Sequence, residues 1–130
     1  MSVVPDDPTE ALRLAADCVA HAAAAALTDT TSLPDEWHRR YGAVQQIING
    51  LGEFAHNSID AVGRGITVVP GRELYADEPG EPADPHRPLG EWNVRTNAAI
   101  FCLGEALGHW DVAHNRIGRL GVRNPEDAPQ

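Results

Sequence analysis

"WHRRYGAVQQIINGLGEFAHNSIDAV", residues 37–62, is the stretch on which the fold turns. Apolar side chains recur at Trp37, Tyr41, Val44, Ile48, Leu51, Ala55, Ile59 and Val62, three or four positions apart. That is the period of one face of an α-helix, not the alternation of a strand. The pattern opens at "SLPDEW", where Ser32 and Asp35 stand in capping-box spacing and Pro34 falls in the first turn. It is expected to run from about 33 to 63 and to stop at Gly63-Arg64-Gly65. Intrinsic propensity does not hold such a helix, since Gly42, Gly50 and Gly52 each cost about 1 kcal/mol relative to alanine. Burial of the apolar stripe must do so.

Upstream, "DDPTEAL" marks the start of another helix, with Asp7 as cap, Pro8 at the first helical position and Glu10 three residues after the cap. It should run from about 8 to 27. Its stripe of Leu12, Ala15, Ala16, Val19, Ala22, Ala23 and Ala26 is made of small side chains that allow close helix approach. Downstream, Thr96, Ile100, Leu103, Leu107, Trp110, His114 and Ile117 define a third helix over about 91–120, and residues 121–130 should fray. Between the second and third helices, residues 64–91 read as a connector. Prolines at 70, 79, 82, 85 and 88 alternate there with Glu73, Asp77, Glu78, Glu81 and Asp84, a composition too polar to order itself. Its "ITVV" tetrad, residues 66–69, is strand-like but isolated. A connector of this length also has a functional reading, as an acidic recognition loop. The expected fold is a single all-α domain, an antiparallel three-helix bundle whose two long helices are joined by a Pro-rich acidic connector.

Composition excludes several function classes. All ten basic residues are arginine, which rules out Schiff-base, pyridoxal-phosphate and phosphate-loop lysine chemistry. A net charge of −9 repels a phosphate backbone, so no nucleic acid is expected as a partner. The longest apolar run, "CVAHAAAAAL" at 18–27, is about half of what a bilayer span needs, and the acidic N-terminus is unlike a secretory signal. A cytoplasmic protein with no membrane partner is the expectation. Cys18 and Cys102 lack metal-type spacing and read as small, reduced core or flank residues. Abundant Ala, Gly, Pro and Arg, all read from GC-rich codons, suggest a bacterium with a GC-rich genome.

The polar residues of "GEALGHWDVAHNRIG", residues 104–118, do not form one site. At about 100° per residue His114 falls on the apolar stripe and Asp111 near its edge. Glu105 and His109 point to the other side as an i, i+4 surface pair. Glu53 and His56 show the Glu-x-x-His spacing of di-iron bundles. If the two long helices are antiparallel, however, His109 stands level with position 46, roughly 15 Å from His56, which no single ion can bridge. No metal site and no cofactor are therefore expected. The same register gathers Trp37, His38, Tyr41, Trp110, Asp111 and His114 at one end of the bundle, the best candidate ligand-binding cluster. Its simplest reading is a core histidine satisfied by the Tyr41 hydroxyl or the Asp111 carboxylate.

Helix lengths leave a surface over. The first helix, about 30 Å long, is too short to cover the roughly 45 Å of the other two. Ile59 and Val62 are then exposed opposite Trp92, while Phe101 and Val112 lie on the outer side of the third helix. These five are the candidate interface. The sequence points to a non-catalytic helical interaction or accessory module that self-associates or docks to another protein. The alternative is a small-ligand-binding or metal-dependent helical enzyme using Tyr41, Asp111 and His114.

Overall fold

The computed structural model describes residues 3–68 and 86–123, the side chains of residues 65–68 excepted. Among them are three helices and no strand: α1 (Pro8–Leu27), α2 (Pro34–Val68) and α3 (His86–Ile117). The chain divides into two compact units, Met1–Leu33 and Pro34–Gln130.

In the first unit, α1 begins where its local chemistry dictates. Asp7 is the cap, with extended backbone, and its carboxylate accepts from the Glu10 amide at 3.3 Å, while Pro8 takes the first helical position, where no amide donor is needed. Arg13 pairs with Glu10 one turn on, at 2.9 Å on an open surface. The segment after α1 is organised by Asp29, whose carboxylate accepts from the amides of Thr31 and Ser32, each at 3.0 Å, and from the Ser32 hydroxyl. No residue of α1 is buried.

In the second unit, α2 does not stop at Gly63-Arg64-Gly65 but runs on to Val68, so Ile66, Thr67 and Val68 of the strand-like tetrad are helical. Glycine is a poor helix former, yet it keeps its amide donor and costs only about 1 kcal/mol. A firm stop needs the missing donor of a proline, and the next one is Pro70. At the other end α3 opens at His86, five residues ahead of the expected start. Pro88 falls in its first turn, where amides have no intrahelical acceptor, so it is no obstacle. The helix ends at Ile117, short of Leu120, through i→i−3 bonds from Arg119 to Arg116 and from Leu120 to Ile117, both 3.1 Å. The connector's residues 69–85 and the tail's 124–130 lie outside the described residues.

The partners of α2 descend α3 as α2 ascends: His38 meets His114, Tyr41 meets Trp110, Gln45 meets Asp111, and Gly52 shares a groove with Gly104. The facing side of α2 follows a seven-residue repeat through His38, Tyr41, Gln45, Ile48, Gly52, Ala55, Ile59 and Val62, each half-buried. On α3 the repeat is Thr96, Ile100, Leu103, Leu107, Trp110, His114 and Ile117, all half-buried. Leu51, expected on the inward stripe, is instead 43% exposed, and Gly52 takes the facing position. None of the described residues is fully buried. Two helices meeting along one seam shield each facing side chain from one direction only. Cys18 and Cys102, read as core or flank residues, are both exposed and free.

The glycines make continuity of α2 testable. A Cβ at Gly50 meets nothing within 4 Å. Gly50→Ala should therefore raise stability by about 0.5–1 kcal/mol, read as the urea midpoint of the helical CD signal. A lowered midpoint would show that α2 is not a continuous helix at that position.

Candidate functional site

Of the six residues expected to gather at one end of the long helices, His38, Tyr41, Trp110 and His114 meet there in two ring stacks. His38 and His114 stack with centroids 4.0 Å apart and planes 14° from parallel. One turn along, Tyr41 and Trp110 stack at 4.5 Å and 26°. Each pair joins α2 to α3, and such pairs contribute about 0.5–1.5 kcal/mol beyond the area they cover. The Trp110 indole N–H donates to the Tyr41 backbone carbonyl at 2.9 Å, so the half-buried ring has its polar atom satisfied. Gln45, half-buried on the facing side, donates from Nε2 to Asp111 Oδ1 at 2.8 Å. Trp37 is the outlier of the six. Its ring lies under the Arg40 guanidinium, 4.5 Å from the centroid, and Arg40 reaches Glu36 at 3.8 Å.

His114 is thus held differently from the sequence-based expectation. Its contact is the His38 ring, while the Tyr41 ring lies on Trp110 and the Asp111 carboxylate is taken by Gln45. Two glycines make room for it. A Cβ at Gly42 would stand 3.3 Å from His114 Nε2, and one at Gly118 would stand 2.7 Å from His38 Cδ2. The latter is closer than any real Cβ contact. Gly42 lets α3's histidine approach α2, and Gly118, just past the end of α3, leaves space for α2's histidine. Sequence reasoning missed Gly42, Gln45 and Gly118 as parts of this end. Gly42 was weighed only for its cost to helix propensity, Gln45 is a polar residue off the apolar pattern, and Gly118 fell inside the helix expected over 91–120.

At this end the Trp110 indole and the Asp111 carboxylate are hydrogen-bonded across the two helices, and the histidine rings meet face to face. Glu53 and His56 line a groove of about 410 Å³ whose apolar walls are Ile48, Ile100, Leu103 and Leu107. Glu105 and His109 are exposed. Among the described residues no three His, Cys, Asp or Glu side chains gather closely enough to hold a metal ion. None of the described helices is long and apolar enough to cross a membrane. Of the five candidate interface residues, Ile59, Val62 and Trp92 are half-buried, not exposed, because they stand on the facing sides of α2 and α3. Phe101 and Val112 are 67% and 56% exposed on the outer side of α3. No family model, no curated protein and no solved structure matches the chain.

Gly118→Ala should displace His38 from its stack and lower stability by about 1 kcal/mol, with shifted ring-proton resonances of both histidines. Unshifted resonances at unchanged stability would show that the two rings do not depend on that space.

Proposed function

We propose that the chain is a non-catalytic helical interaction module in which α2 and α3 form the antiparallel pair of a helical bundle completed by self-association. One observation carries this reading: none of the described residues is fully buried, although α2 and α3 are 35 and 32 residues long. A single seam between two helices stabilises too little to offset the ordering of both, so small helical units of this kind rely on further burial. The apolar surface for it is present. Ile47, Leu51 and Phe54 are 43%, 43% and 47% exposed, and Phe101 and Val112 add an outer edge on α3. The stacks at the His38–His114 end serve the reading as a clasp that fixes the register of the pair, so that the surface outside it has a defined shape.

Size-exclusion chromatography with light scattering tests the proposal directly. A mass of twice the 14.0 kDa chain at micromolar concentration is expected, with helical CD signal falling on dilution as the assembly dissociates. A strict monomer of unchanged helicity across that range overturns it.

The clasp makes a separate prediction. His114→Phe should keep helix content and assembly mass, with stability within about 1.5 kcal/mol of the parent, since one flat ring replaces another on His38. Loss of a co-purifying small molecule in native mass spectrometry of this variant would instead give the histidine a chemical role.

A further inference from the structure

His38 and His114 are both half-buried, and they touch through their faces, 4.0 Å between centroids and 14° from parallel. Beyond that contact neither side chain takes part in a hydrogen bond or an ion pair among the described residues. Each ring also ends at a glycine. Nε2 of His114 comes up to Gly42 of α2, and Nε2 of His38 comes up to Gly118, just past the end of α3. A glycine has no side chain to accept a proton from either nitrogen.

The charged groups of the two helices at this level supply no counter-ion to the rings. On α2, Asp35, Glu36, Arg39 and Arg40 stand within one turn of His38, and Glu36 is held by Arg40 at 3.8 Å. On α3, Asp111 and Arg116 stand within one turn of His114, with Arg119 beyond the helix end, and Asp111 is held by Gln45 at 2.8 Å. Tyr41, the remaining titratable group here, is stacked on Trp110. Arg39, Arg40, Arg116 and Arg119 outnumber Asp35, Glu36 and Asp111, so the surroundings of the stack are cationic.

Histidine is the side chain that gains its charge between about pH 8 and about pH 5. With one proton the stack is sound, because a single imidazolium then lies over the face of a neutral ring. Two imidazolium rings at this separation repel. At the permittivity of a half-buried site, discounted for solvent screening, that repulsion shifts the balance between closed and open ends by about tenfold. In the unfolded chain nothing holds the rings together, and each takes its proton freely. The closed end therefore binds fewer protons than the unfolded chain as the pH falls through the imidazole range. By linkage its stability is full above that range and declines below it.

We propose that the His38–His114 stack is a proton-released latch, which holds α2 to α3 at this end while at most one ring is charged and parts them when both are. The release is local. Further along the seam the facing residues are Ile48, Gly52, Ala55, Ile59 and Val62 on α2 and Thr96, Ile100, Leu103 and Leu107 on α3, none of which titrates. Both rings belong to one chain, so the latch goes beyond the self-association reading and does not depend on it.

Urea midpoints of the helical CD signal, taken at one protein concentration at about pH 8 and about pH 5, test the latch on the full chain. The parent is compared with His38→Phe, His114→Phe and His56→Gln, the last removing an exposed histidine of the groove rim outside the stack. Carboxylates and the other histidines move all four midpoints alike. The parent and His56→Gln should lose a further increment on acidification, roughly tenfold in the folding equilibrium, that both stack variants lack. Equal losses in all four overturn the proposal. Should the phenylalanine variants fail to fold, NMR titration of the parent's imidazole protons decides, and the two stacked rings should take up their protons in two separated steps. Superimposable single-step curves, like those of exposed His56 and His109, overturn it as well. Light scattering at both pH values reads the oligomeric state separately, so a strict monomer overturns the interaction reading and leaves the latch to the midpoints.

Discussion

Everything else in the second unit depends on one seam between two long helices. Along it, side chains at seven-residue spacing meet in opposite order on α2 and α3, and each is shielded by one neighbour only. The glycines sharpen this constraint. α2 carries five of them in 35 residues, and at about 1 kcal/mol each relative to alanine they remove several kcal/mol of local helix preference. A helix so composed is held by what it touches. Where its seam leaves side chains half-exposed, further contact is needed to reach the stability of an ordinary domain.

The closed end of the pair shows how the seam is fixed. Two ring stacks, one turn apart, can form only if α2 and α3 sit at a single relative height, since a shift of one residue moves each ring by about 1.5 Å and by about 100° around its helix. The Trp110–Tyr41 and Gln45–Asp111 hydrogen bonds impose the same height from polar groups. Gly42 and Gly118 admit the histidines without forcing the helices apart. The contacts that set the register thus involve residues of the expected ligand-binding cluster.

Legibility in the sequence followed the range of the determining interaction. The bounds of α1 were legible because Asp7, Pro8 and Glu10 act within one turn. Helical period and chain direction set His114 level with Tyr41; Tyr41 stacks instead on Trp110, one turn away. What failed depended on weighing local signals against context. Gly63 and Gly65 were read as a stop although only a proline removes the amide donor, and Pro88 was read as connector although it stands in the first turn of α3. The partner of His114 was assigned to the nearest hydrogen-bonding groups, Tyr41 and Asp111. Ring stacking on His38 leaves no donor–acceptor signature in a sequence.

The misplacement of Leu51 has a different origin. The apolar stripe read from residues 37–62 merges two repeats. Tyr41, Ile48, Ala55, Ile59 and Val62 belong to the half-buried side facing α3, whereas Leu51 belongs with Ile47 and Phe54 on the exposed flank, and Val44 stands between the two sets. Helical periodicity measures how broad an apolar arc is, and an arc serving two neighbours looks like a generous stripe serving one. On α3 the corresponding flank carries Arg95, Ala99, Cys102, Ala106 and His109, all exposed, a mixed set that does not register as an apolar stripe. Amphipathicity here is therefore a property of the pair. Only with α2 and α3 side by side do their two flanks fall on one face, so the character of that face is not written in either helix alone.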